Sequence, residues 1–190
     1  MKMIPRVLLF LLPIWSVAHA DVWVGRSDVT FKGYSTLHDF EGTVTAVPLQ
    51  VTVEDRAAGG RQVSATSAVE VQRMNTQDED RDENMWKMFN TAVFKLIKIT
   101  VDDVPEASVR PTGDVPGRMP VTLTMAGTPG KVVAEVTGLR ESKEQVSFDL
   151  AFPVSLKAFK LTPPSTLAGL IKVKDTVDVK VHVTLGRAKS

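Results

Sequence analysis

"DTVDVKVHVTLG", residues 175–186, decides the fold. Val177, Val179, Val181, Val183 and Leu185 fall at every second position, with Asp178, Lys180, His182 and Thr184 between them. Successive side chains of an extended strand leave opposite faces, so this pattern describes a strand with one buried face and one wet face. The run of β-branched valines favours the pleated conformation further.

The same signal recurs along the chain. "EQVSFDLAFPVSL" (144–156) alternates through Val146, Phe148, Leu150 and Phe152, and "KVVAEVTG" (131–138) through Val132, Ala134 and Val136. "MPVTLTMAG" (119–127) carries Val121, Leu123 and Met125; "VFKLIKITVDDV" (93–104) carries Ile97, Ile99 and Val101. "RQVSATSAVEVQRM" (61–74) places Val63, Ala65, Ser67, Val69 and Val71 on one face. "GTVTAVPLQVTVE" (42–54) has Val44 and then Leu49, Val51 and Val53, with a register change near Val47 and Pro48. "DVTFKGYSTL" (28–37) opens the series with Val29 and Phe31. Turn signals separate these runs: "AAGG" (57–60), "RPTGDVPGR" (110–118), "GTPGK" (127–131), "GLRES" (138–142) and "TPPST" (162–166). About eight to ten antiparallel strands at this spacing predict an all-β sandwich or barrel, and a closed barrel has no exposed sheet edge.

One stretch obeys a different period. From Asp82 to Ala92, Met85, Met88, Phe89 and Ala92 stand at i, i+3, i+4 and i+7, which is helical spacing. The acids before them, Asp78, Glu79, Asp80, Asp82 and Glu83, suit the positive end of a helix. The spacing predicts a short amphipathic helix lying across one opening of the barrel.

Residues 1–20 read as a secretory signal peptide. Lys2 and Arg6 precede the apolar "VLLFLLPIW" (7–15), and "AHA" (18–20) is a small-residue cleavage site. The apolar run is far shorter than the roughly 20 residues of a spanning helix. Residues 21–190 then form one domain, and loss of Lys2 and Arg6 takes the formal charge from +1 to −1. That balance gives no electrostatic footprint for nucleic acid. The chain has no cysteine, so an exported domain must hold itself together by its core, and a bacterial periplasm is the expected location.

The chemical motifs fail one by one. Asp78, Asp80 and Asp82 sit at positions 1, 3 and 5 of a calcium loop, but Glu83 stands where Gly is required and Phe89 where the bidentate Glu is required. His38 and His182 are the only histidines after residue 20, without thiolates or helical histidine pairs, so no metal site is expected. His182 reads as an exposed strand residue and His38 as a turn residue. "GTPGK" lacks both the first Gly and the final Ser or Thr of a phosphate loop. No nucleophile elbow is present, so neither an enzyme nor a cofactor is expected. A container remains. Periodicity alone suits a solid core better than a pocket, since both use the same apolar inward residues.

Four stretches together resemble the YceI-like family of periplasmic lipid- and polyisoprenoid-binding proteins: "STLHDFEGTV" (35–44), "DRDENMWKMFNTAVFKLIKI" (80–99), "MPVTLTMAGTPGKVV" (119–133) and "FPVSLKAFKLTPPSTLAGLIKVKDTVDVKVHVTL" (152–185). They follow one another in order, and the match spans essentially the whole chain after residue 20. The chain departs from the family at turns and edges: Gly127-Thr128-Pro129-Gly130-Lys131 stands for the usual Gly-Val-Thr-Lys, and Phe94-Lys95 for Tyr-Pro.

The resemblance implies an extended, lipocalin-like antiparallel β-barrel of about eight strands, with the helix at an opening and an elongated apolar cavity inside. It implies a polyisoprenoid or other long-chain amphiphile as ligand, held for transport, storage or scavenging. On this basis the cavity wall is expected to include Phe31 from the first strand and Met85, Met88, Phe89 and Phe94 from the helix and its exit. Ile97, Ile99, Leu123, Met125, Phe148 and Leu150 follow from the middle strands, then Phe159, Val179 and Val181. Arg81 and Asp82 are expected to pair or cap at the helix start, with Trp86 at the rim. Transient contact with a membrane surface and a monomer or homodimer are compatible with this reading. A solid-core interaction module and a lipid-acting enzyme are the competing classes.

Overall fold

The computed structural model describes residues 20–45, 48–56, 59–166 and 171–188. Residues 1–19, including most of the expected signal peptide, and Val47 of the expected register change lie outside them.

Ten strands appear in chain order: β1 (Ala20–Ser35), β2 (Phe40–Thr45), β3 (Leu49–Asp55), β4 (Arg61–Glu70), β5 (Leu96–Pro105), β6 (Gly117–Met125), β7 (Thr128–Glu141), β8 (Gln145–Ser155), β9 (Ser165–Thr166) and β10 (Ile171–Arg187). Helix α1 (Glu79–Phe89) lies between β4 and β5, and a single turn, α2 (Glu106–Val109), lies between β5 and β6. The sheet runs β2-β1-β3-β4-β5-β6-β7-β8-β10-β9, and a further β1–β10 pairing closes it. Every pairing is antiparallel.

Closure depends on the length of β1. One of its edges pairs with β10 from Trp23 to Ser35. The other pairs with β3 through Ala20–Gly25 and with β2 through Asp28–Gly33. Thus β2 and β3 act as one interrupted strand, and the result is an eight-stranded, all-β, lipocalin-like barrel. The break between them is the register change expected near Pro48.

Two reciprocal pairs shape the end of the barrel where β1 turns into β2. Phe31 stands opposite Gly42, and Gly33 opposite Phe40. Each ring lies over the opposite glycine, where any Cβ would collide with it. An aromatic ring beside a glycine restores the apolar cover the glycine lacks.

The "GTPGK" turn resolves into a two-residue hairpin. Ala126 (φ 44°) and Gly127 (φ 77°) are both left-handed, as a type I′ turn demands, and Met125 and Thr128 pair across it. "GLRES" is not a turn, contrary to expectation. Strand β7 runs through it, and Gly138 (φ 62°) sits where the pairing with β8 shifts register between Thr137 and Arg140. That is a β-bulge, which bends the strand without ending it.

Candidate ligand cavity

Valine is the commonest inward residue, with Ala65, Ser27 and Ser67 also on the wall, and these side chains are too small to fill the axis of an eight-stranded barrel. The lumen holds a cavity of about 240 Å³, counted as room for the centres of water-sized molecules. One water needs roughly 10–15 Å³ on that scale, so this is no packing defect. The solid core favoured by periodicity is therefore not what the chain builds. Alternation reveals which face is inward but not whether opposite walls meet.

Twelve of the expected residues stand on this wall: Phe31, Met85, Met88, Phe89, Ile97, Ile99, Leu123, Met125, Phe148, Leu150, Val179 and Val181. Phe94 and Phe159 do not. The ring of Phe94 packs on Gly127 at the β6–β7 turn, and that of Phe159 on Gly130 of β7. Phe159 is buried there as packing. The wall also includes residues the sequence reading passed over, notably Phe40, Met74, Thr76, Pro164 and Val173 around the mouth.

Helix α1 supplies one side of that mouth. Its start is earlier than expected. Asp78, not Asp82, is the N-cap, and its carboxylate accepts the Arg81 amide at 3.0 Å. Asn90, left-handed at φ 52°, ends the helix. Arg81 and Asp82 do not pair with each other. The Arg81 guanidinium donates to Asp78 at 2.9 Å and lies 4.8 Å from the Phe40 ring centre. It is the one charged side chain among the described wall residues.

Asp82 is buried and faces the other way. Its carboxylate accepts the Thr76 amide at 3.0 Å and the Thr76 hydroxyl at 2.7 Å. One residue back, Asn75 exchanges both backbone hydrogen bonds with Thr43 of β2, each at 2.9 Å. The buried Asp82 carboxylate thereby links helix, linker and barrel wall, beside a hydrogen bond from Arg81 to the Thr76 carbonyl at 3.3 Å. Trp86 is not at the rim. It is absent from the cavity wall, packs against the core, and its indole nitrogen is buried without a partner.

The opposite end of the barrel carries a network of ion pairs. Arg61 pairs with Asp21 at 2.7 Å and with Glu106 at 3.5 Å. Arg110 pairs with Glu106 at 2.7 Å and Glu141 at 2.8 Å, and Arg187 reaches Asp21 from β10. Hydrogen bonds to Glu141 and then Glu106 raise the Arg110 pKa above its already high value, so this cation is permanent. Behind these pairs lies a second, smaller chamber of about 160 Å³ on the same scale.

Nothing in either chamber arranges a nucleophile against a base. His182 sits on the outer surface of β10, with Nδ1 2.7 Å from Asp149. His38 belongs to a turn in which the Ser35 hydroxyl accepts its amide and donates to its carbonyl. Among the described residues, no group of three metal-ligating side chains comes together.

The YceI-like domain matches residues 21–185. The fold is similar to a polyisoprenoid-binding domain from Saccharophagus degradans implicated in plant cell wall breakdown, with TM-score 0.61, 18% identity, and coverage of 90% of this chain and 100% of that one. It is also similar to Burkholderia cenocepacia BcnA, with TM-score 0.59, 17% identity and coverage of 83% and 95%. A Campylobacter jejuni YCEI protein follows at TM-score 0.50 and 19% identity, covering 75% and 82%. No match to a curated protein was found.

Proposed function

This chain belongs to the YceI-like family, and from that premise we propose that it holds a polyisoprenoid or another long-chain amphiphile in its barrel. The observation that carries the proposal is the lumen: a cavity with nearly wholly apolar walls and its single charged residue, Arg81, at the mouth. Such a site solvates a hydrocarbon chain and leaves the polar end beside Arg81 and Thr76. The likeness to a polyisoprenoid-binding domain supports the same ligand class.

Energetics favour a carrier. Taking one five-carbon isoprene unit out of water contributes on the order of 3–4 kcal/mol gross, at about 0.8 per carbon group. A membrane offers the chain a similar apolar solvent, so the protein exchanges ligand reversibly with it. With residues 1–20 as an export signal, the role is transport, storage or scavenging in the periplasm, with transient contact at a membrane surface.

Native mass spectrometry after gentle purification tests this. Co-purifying long-chain lipid is expected, and the delipidated protein should gain melting temperature on adding such a lipid, because a ligand selective for the native state stabilises it by mass action. Repeated recovery of empty protein that takes up no long-chain ligand would sink the proposal.

A further inference from the structure

The main cavity and the basal chamber share four wall residues: Val51 of β3, Val63 of β4, Met119 of β6 and Phe148 of β8. These come from strands spread around the barrel, so together they mark the level at which the two cavities adjoin. Val51, Val63 and Met119 are buried, and Phe148 packs with both core clusters, the upper one around α1 and the lower one around Leu185. Above this level the wall is almost wholly apolar up to the mouth, with Ser67 as an isolated polar side chain. Below it, Trp23, Val53 and Leu139 share the wall with Arg61, Glu106, Arg110 and Glu141.

The two compartments differ in what they offer a ligand. A hydrocarbon end in the upper cavity meets almost only apolar side chains. In the lower chamber it would lie against charged groups that hold one another at 2.7–3.5 Å. A chain extending from one to the other must pass Met119 and Phe148. Of the four, these two have side chains long enough to block the axis. Methionine is flexible and fills irregular gaps well, which suits a residue that closes a lumen against an aromatic ring.

Resting on the container reading above, we propose that Met119 and Phe148, backed by Val51 and Val63, form a partition that sets the longest chain the barrel accepts. The basal chamber is a separate, partly open compartment beneath it. Affinity then climbs with chain length until the terminal methyl reaches the partition, after which further methylenes stay outside the mouth and add nothing.

The test uses the delipidated full chain and saturated fatty acids of increasing length, with binding read by displacement of a fluorescent fatty acid. Wild-type affinity is expected to rise about fourfold per methylene, the factor for burying one CH₂, and then to level off. Phe148→Ala and, separately, Met119→Ala should move the plateau to longer chains by several methylenes. A second measurement needs neither variant. Trp23 lines the lower chamber only, so in a Trp15→Phe, Trp86→Phe background a chain brominated at its terminal carbon should leave Trp23 emission unquenched. Binding without a plateau, a plateau unmoved in the folded variants, or contact quenching of Trp23 in the otherwise native barrel would overturn the partition while leaving the container intact. Absence of binding at every length would remove both.

Discussion

The two ends of this barrel are built from opposite chemistry. At the mouth, α1 covers the lumen with Met85, Met88 and Phe89, and its attachment to the wall includes one buried carboxylate, Asp82 on Thr76. At the base, three arginines and three carboxylates form a chain of pairs from Asp21 to Glu141, most of them partly exposed. The apolar contacts of the lid can part and re-form without direction, and Asp82 on Thr76 is the buried polar tie beside them. The ion pairs of the base cannot part without leaving arginines and carboxylates unmatched. On the proposed function, the helix end is the one expected to admit a chain.

The largest effect expected from breaking this contrast is at Phe89, which is 4% exposed. Phe89→Ala should cost roughly 3–5 kcal/mol in denaturant unfolding, the range for deleting a buried ring. Phe89→Leu separates packing from binding. Lower ligand affinity at nearly unchanged apo stability marks Phe89 as a wall the ligand touches. Lost stability with affinity intact would assign it to lid packing alone.

Next comes Asp82→Ala, expected to cost about 2–3 kcal/mol, because it strands the Thr76 amide and hydroxyl on a buried charge-assisted network. The loss should be almost independent of salt, since buried interactions are poorly screened. A change below roughly 0.5 kcal/mol would mean that Thr76 finds other partners.

Glu106→Ala at the base should cost less, about 1 kcal/mol, because its partner Arg110 is 40% exposed and solvent screens the pair. Here salt matters. The difference from wild type should shrink between about 0.01 M and 1 M salt, over which the screening length falls from roughly 30 Å to 3 Å. A salt-independent loss would show that Glu106 acts by packing and would blur the distinction between the ends.

The smallest effect concerns acid. At the mouth, the Ser155 hydroxyl and the Lys157 amide hold the Asp175 carboxyl below its ordinary value. A depressed carboxyl contributes stability above its unfolded pKa and loses it as pH falls through the folded value. Asp175→Asn should therefore lower stability slightly at neutral pH and flatten the pH dependence below about 4, the normal range of the group. Identical acid profiles for the two proteins would refute this.

How much of this was legible in the sequence depended on whether the cause was local. Period-two alternation exposed the inward face of nearly every strand, because the pleat itself imposes it; Val179, Leu123 and Ile99 all face the lumen. Helix α1 was legible through Met85 and Phe89, but not its cap. Several acids in a row look equivalent until tertiary structure buries one of them, and only Thr76 distinguishes Asp82 from Asp78. Phe94 and Phe159 read as wall residues because they are large and apolar. Their true seats are Gly127 and Gly130, and the only available hint was the presence of those glycines. The ionic base left no trace, since Asp21, Arg61, Glu106, Arg110 and Glu141 come from distant segments that no window brings together.

The seam between β1 and β10 has a kinetic consequence. It joins residues up to 166 positions apart, as in the contact of Arg187 with Asp21. Such a contact returns nothing until most of the chain is ordered, so folding should be slow, in the milliseconds-to-seconds range of non-local β topologies. Until the seam forms, β1 and β10 each present a long unpaired edge that a second unfolded copy can extend. Refolding yield should therefore fall as protein concentration rises, even though the finished barrel offers no such edge along the seam.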